Sequence, residues 1–153
     1  MQPRLNPFAA APDLIKLLTD FGTAITETGL EPSLMDLVKV RASQINGCAM
    51  NLGLHTRVAR AHGETEERLY LLDAWRASPL FNARERAALG WTDTLTLVSE
   101  THAPDDVYAA LKAEFNEEEQ VRLTLLIVAV NGFNRLGIGF RLSEAPSPAR
   151  QAA

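Results

Sequence analysis

The sequence predicts an all-α fold, a single-domain helical bundle of six to seven helices with a central αα-hairpin at residues 32–62. Three observations lead to this prediction. Apolar residues recur with a period near 3.6, and proline or capping residues stand where these segments begin. Strict apolar/polar alternation, the pattern of a half-buried strand, does not persist between turn residues anywhere in the chain.

The first three helices have clear start and end signals. Pro12 and Pro32 suit the first helical position, and Gly29 and Gly47 suit the position just after a helix end. The expected ranges are 12–28, 32–46 and 48–63. The residues expected to face inward are Leu14, Leu17, Leu18, Phe21 and Ile25 in the first helix, Leu34, Leu37, Val38 and Ile45 in the second, and Leu52, Val58 and Ala59 in the third.

Four further helices are expected, at 65–77, 82–100, 104–111 and from 117 onward. Asn82 with Glu85 three residues later is a capping-box arrangement. Asn116 precedes three glutamates, which the dipole of a helix favours in its first turn. The run Leu123–Val130 is apolar on nearly all sides, as in a helix buried in the middle of a domain or in a subunit interface. Trp75 and Trp91 are expected in the core.

Composition excludes several classes of function. The net charge is -4 and no basic block occurs, so nucleic acids and anionic membrane surfaces are not expected partners. The first residues lack the apolar run of a signal peptide, and the longest apolar run is too short for a membrane span. A cytoplasmic protein is therefore expected, with a domain at residues 1–142 and a loose, proline- and alanine-rich tail at 143–153.

The stretch from Gln44 to His55 carries most of the chemistry that the residues suggest. It holds the single cysteine of the chain, Cys48, in the first turn of a helix, where the dipole favours the thiolate. Cys48, Asn51 and His55 are spaced to share one helix face. The antiparallel hairpin could bring Asp36 close to that face, which would complete a proton relay from an acid through an imidazole to a thiol.

The segments 35–48, 63–69, 72–76, 85–89 and 131–136, with His55, resemble the alkylhydroperoxidase D-like, carboxymuconolactone decarboxylase superfamily. This resemblance covers most of residues 30–142. It implies an all-helical fold and a homo-oligomer, commonly a dimer, trimer or hexamer. It also implies a thiol-dependent peroxidase with antioxidant, peroxiredoxin-type activity, in which two cysteines reduce a hydroperoxide, a glutamate and a histidine relay a proton, and an external dithiol carrier restores the enzyme.

This sequence departs from the family motif at two of its four positions. Asp36 stands at the glutamate position, Cys48 at the first cysteine, Asn51 at the second cysteine and His55 at the histidine. An asparagine forms neither a thiolate nor a disulfide, so the two-cysteine cycle cannot run within one chain. Cys48 could still form a sulfenic acid that an external thiol reduces, or it could be a small buried residue with no redox role.

Two other functions remain open at this point. One is a non-catalytic, homo-oligomeric binding or scaffold protein that holds a small apolar or anionic ligand. The other is a decarboxylase- or lactone-type enzyme that uses His55 and an acid without cysteine chemistry. No cofactor is expected, and no metal, since four tetrahedral ligands cannot be assembled around Cys48 and His55. His62 is interpreted as a favourable cation at a helix end, and Asn131, Asn134 and Arg135 as capping or interface residues.

Overall fold

The computed structural model describes residues 2–27 and 29–143, which form nine α-helices and no strand. The helices are α1 (Pro7–Ala10), α2 (Pro12–Thr26), α3 (Pro32–Asn46), α4 (Ala49–Ala61), α5 (Glu66–Leu71), α6 (Ala83–Thr96), α7 (Val98–Thr101), α8 (Asp105–Glu114) and α9 (Glu117–Gly139), with a 3-10 turn at Leu72–Ala74. The predicted all-α class is confirmed. The predicted tail at 143–153 lies outside the described residues except for Ser143, and so does Thr28.

The predicted start and end signals are confirmed where they can be compared. Pro12 and Pro32 occupy the first turns of α2 and α3. Gly47 ends α3 in the left-handed conformation with φ +66°, which a residue with a side chain rarely adopts. Asn82 and Asn116 each form a complete capping box at the start of α6 and α9. These local signals fix the turn that carries Cys48.

Two predicted helices are shorter than expected. The segment 65–77 forms α5 and then tightens into the 3-10 turn, and the segment 82–100 is interrupted at Leu97. There the backbone leaves the helical region, with φ -107° and ψ 34°. The hydroxyl of Thr101 donates to the carbonyl oxygen of Thr94 (2.7 Å). In a continuing helix this carbonyl would accept a hydrogen bond from a backbone N–H instead.

Helix α3 lies at the centre of the structure and packs against α4, α6 and α9. Every residue from Leu34 to Val38 is therefore buried, although an amphipathic helix would expose part of this run. One apolar cluster surrounds Val38 and Ile127, and a second surrounds Leu37 and Leu89. The α3–α4 hairpin stands between these clusters, and the predicted central hairpin is confirmed.

The predicted inner face of α2 is partly wrong. Ile25 is buried, and Phe21 packs on the core, but Leu14 and Leu17 are 63% and 65% exposed. The reason is that α2 packs mainly on α9, along a narrow face where Leu18 lies next to Gly132. Leu14 and Leu17 lie outside this face, and no described residue covers them.

Helix α9 is the one described helix that is long and apolar enough to cross a membrane by length and composition, with a mean hydropathy of 1.3. One side of α9 packs into the core, where Leu123, Leu126 and Ile127 are buried. On the other side Val121 and Val128 are 58% and 55% exposed. The apolar character on nearly all sides thus reflects a core face and a second face that the described residues leave exposed.

Candidate functional site

The thiol of Cys48 is buried between the start of α4 and the end of α9. Cys48 is the N-cap of α4, its N–H donates to the carbonyl of Ser43 (3.1 Å), and 2% of the residue is exposed. A Cβ built on Gly137 of α9 would lie 2.9 Å from Sγ and 3.3 Å from the terminal carbon of Met50. The absence of a side chain at Gly137 therefore makes room for the sulfur.

Asn51, one turn after Cys48 on α4, meets Asn134, which lies one turn before Gly137 on α9. Asn51 Nδ2 donates to Asn134 Oδ1 (2.8 Å), and the hydroxyl of Ser43 lies 3.2 Å from the same oxygen. That hydroxyl also lies 2.8 Å from the carbonyl oxygen of Lys39, and its single proton can serve one of the two acceptors at a time. Asn134 is fully buried, and its Nδ2 has no hydrogen-bond partner within the described part of the chain.

Asp36 pairs with His62 at the end of α4. Nδ1 of His62 donates to Oδ2 of Asp36 (2.6 Å), and the carboxylate is buried while the imidazole is half exposed. His62 lies at a helix end, as the sequence predicts, but its pair with Asp36, which spans 26 residues across the hairpin, was not predicted. The relay from Asp36 through His55 to Cys48 stays a prediction, and the contact that the structure gives Asp36 leads to a different histidine.

His55 lies two turns after Cys48 on α4, a rise of about 10 Å. It is half buried and lines a cavity of about 250 Å³ together with Lys39 of α3. Burial lowers the pKa of the Lys39 ammonium below its usual value, and the negative charge of Asp36 offsets part of this shift. Lys39 was not singled out from the sequence, because its burial depends on α2 and α9 folding over it.

Cys48, Asp36 and His55 all lie on the α3–α4 hairpin, but each has different neighbours. Cys48 packs against α9, Asp36 pairs with His62, and His55 faces the cavity with Lys39. In residues 2–27 and 29–143, no three His, Cys, Asp or Glu side chains are grouped so that they could hold a metal ion. The chemistry available to Cys48 is that of one thiol at a helix N-terminus beside buried amides.

The chain is similar to one protein family and to several known proteins. The sequence profile of the carboxymuconolactone decarboxylase family matches residues 12–94. The uncharacterized protein YdfG of Bacillus subtilis is 34% identical over 138 residues, which is 90% of this chain and 94% of that protein.

Solved structures share the fold. A crystal structure from Agrobacterium tumefaciens superposes with a TM-score of 0.93 at 38% identity, covering 95% of this chain and all of the other. That protein is of unknown function and has been suggested to be the antioxidant defence protein AhpD. The debrominase Bmp8 has a TM-score of 0.81 at 18% identity, covering 94% of this chain and 77% of its own, and shows the fold alone. The family resemblance and the alkylhydroperoxidase D-like fold are confirmed.

Proposed function

Because the chain belongs to the carboxymuconolactone decarboxylase family, we propose that it acts as a single-cysteine thiol peroxidase on small hydroperoxides. The observation that carries this proposal is the position of Cys48 at the N-cap of α4. Cys48 thus lies at the positive end of the dipole of α4, and the thiolate is the form of a cysteine that attacks peroxide.

The reaction needs one external reductant, a low-molecular-weight or protein thiol. The Cys48 thiolate attacks one peroxide oxygen, an S–O bond forms, the O–O bond breaks, and the leaving alkoxide or hydroxide takes up a proton. A first external thiol then displaces water from the sulfenic acid and forms a mixed disulfide. A second external thiol attacks this disulfide, which releases the Cys48 thiol and an external disulfide.

The burial of Cys48 supports a small substrate. Because 2% of the residue is exposed and Gly137 lies against the sulfur, we expect hydrogen peroxide to react and a bulky alkyl hydroperoxide to be excluded. Asn134 lies one turn before Gly137 on α9, and its Nδ2 has no hydrogen-bond partner among the described residues, which supports the proposal further. A buried donor without a partner costs about 1–3 kcal/mol, and an oxygen bound near it would recover part of that cost.

The first prediction is that Cys48→Ser abolishes hydrogen peroxide consumption above the background rate of the external thiol.

A second variant, Asn51→Cys, places a second thiol three residues from Cys48, and we expect this variant to consume hydrogen peroxide faster than the wild type. Asn51→Ser is the matched control, since it also removes the amide but supplies no redox sulfur. Consumption is followed with dithiothreitol as the reductant. Equal, slow rates for the wild type and Cys48→Ser would eliminate the peroxidase proposal.

A second candidate is favoured by the same burial of Cys48. With its sulfur against Gly137, Cys48 can be a buried residue that only fills space in the core. The protein would then bind a small molecule and carry out no redox chemistry. Slow reaction of native Cys48 with iodoacetamide, together with fast reaction in denaturant, would support this candidate. The cavity between Lys39 and His55 is the place where such a ligand would bind.

We also propose that two copies of the chain associate through the exposed face of α9. Val121, Leu125 and Val128 follow one another at helical spacing and are 58%, 37% and 55% exposed. A contiguous apolar face of this kind is typical of a subunit contact. A second copy suits it because a two-fold axis across the helix places this face of one copy against the same face of the other, so that apolar residues meet apolar residues.

The second prediction is that Val128→Asp reduces the oligomeric mass measured by light scattering after size exclusion. A charge at this position would have to be buried without a partner in the proposed contact. Tyr70→Asp is the control, because Tyr70 is 72% exposed on α5, outside the face formed by α9. A wild-type protein that is monomeric at micromolar concentration would contradict the proposed association.

A further inference from the structure

A cavity separate from the thiol lies between α2, α3, α4 and α9. Its volume is about 250 Å³, and Cys48 is not among the described residues that line it. One wall is apolar and is formed by Leu126, Val130 and Phe133 of α9. Lys39 and His55 line it from α3 and α4. An apolar cavity with a few convergent polar groups is the usual form of a small-molecule site.

Two of the three threonines of α2 that line the cavity have hydroxyl protons that are already used. Thr19 and Thr26 line the cavity, but their hydroxyls donate to the carbonyl oxygens of Ile15 (2.9 Å) and Thr23 (2.8 Å). Each hydroxyl has one proton, so these two present lone pairs to the cavity rather than donors. Lys39 is the lysine that lines the cavity, and its ammonium brings a positive charge to it.

Lys39 lacks a full counter-charge. In residues 2–27 and 29–143, its ammonium has no hydrogen bond or ion pair, and the carboxylate of Asp36, one turn away, is bound to His62. A partly buried ammonium without a partner is unfavourable, and a pairing anion would relieve that cost. This arrangement favours an anionic ligand over a neutral one.

We propose that this cavity binds a small monocarboxylate with an apolar body, whose carboxylate pairs with Lys39 and whose body packs on Phe133 and Leu126. The volume is just below the range of about 300–1,000 Å³ that is typical of drug-sized ligands, so the acid must be small, of the size of a benzoate or a short aliphatic acid. A dianion would leave one charge against the apolar wall of α9. The site does not depend on peroxide reduction and exists whether or not Cys48 reacts.

The test is isothermal titration of the full chain with benzoate and with benzyl alcohol, a neutral compound of similar size and shape. We expect benzoate to bind the wild type and benzyl alcohol to bind at least tenfold more weakly. Lys39→Met should weaken benzoate binding at least tenfold, and Lys39→Arg should retain part of it. Lys112→Met is the matched control, because Lys112 lies on α8 over the ring of Tyr108, away from the cavity. The affinity of this variant for benzoate should equal that of the wild type.

A second variant, Thr23→Phe, tests the site independently in case Lys39→Met does not fold. Thr23 is exposed at the rim of the cavity, so Thr23→Phe narrows the cavity without a change to the buried core, and it should also weaken benzoate binding. Equal affinity for the acid and the alcohol, or unchanged affinity in both Lys39→Met and Thr23→Phe, would overturn the proposal. So would the absence of benzoate binding at millimolar concentration.

Discussion

Asp93→Ala is expected to lower the free energy of unfolding by about 3–5 kcal/mol, the range found when one partner of a buried ion pair is removed. The carboxylate of Asp93 accepts from Arg41 Nε (2.6 Å), Trp75 Nε1 (3.2 Å) and an Arg76 guanidinium nitrogen (2.5 Å). Burial alone would lower the pKa of Arg41, but its bonds to Asp93 and to Asp73 raise this pKa above its usual value. Arg41 therefore stays charged and needs its partner.

Asp73 provides the matched control for this prediction. It also bonds Arg41 (2.5 Å), but its side chain is 77% exposed, whereas the side chains of Arg41 and Asp93 are 10% exposed. Solvent screens an exposed carboxylate, so Asp73→Ala should cost less than about 1 kcal/mol. Urea unfolding followed by circular dichroism measures both variants. Equal losses for the two would show that burial does not govern the strength of this ion-pair group.

Local signals in the sequence predicted the helices well because their causes are local. Pro32, Gly47 and the capping boxes at Asn82 and Asn116 act within a few residues, through fixed φ angles and side-chain bonds to nearby N–H groups. Their effect does not depend on how the helices pack. The hairpin and the position of Cys48 at the start of α4 follow from the same signals.

Features that depend on packing between distant helices could not be predicted in this way. Periodicity assigned Leu14 and Leu17 to the inner face of α2, but which face is covered depends on where α9 lies. The same holds for the cavity at Lys39, which four helices enclose. The pair of Asp36 with His62 was not predicted either, because it depends on how α3 and the end of α4 lie against each other in the hairpin.

The fit of α9 around the sulfur of Cys48 leads to the second large effect. Gly137→Ala places a Cβ 2.9 Å from Sγ, closer than such atoms approach one another in folded proteins. Either the thiol or α9 must shift, and overpacking of this kind costs about 1–3 kcal/mol. This loss outweighs the gain of about 0.5–1 kcal/mol that alanine normally brings to a helix interior. The free energy of unfolding should therefore fall.

Two further variants separate the contact with the sulfur from a general effect of the substitution. Gly139→Ala adds a Cβ that meets nothing within 4 Å, and it should leave the stability unchanged or slightly raised. In a Cys48→Ala background the sulfur is absent, so Gly137→Ala should cost less there by about 0.5–3 kcal/mol, the range of coupling between residues in contact. Urea unfolding of the four proteins of this double-mutant cycle gives the coupling directly. Strictly additive losses would mean that the thiol does not lie against Gly137, and the expected exclusion of bulky alkyl hydroperoxides would then lose its basis.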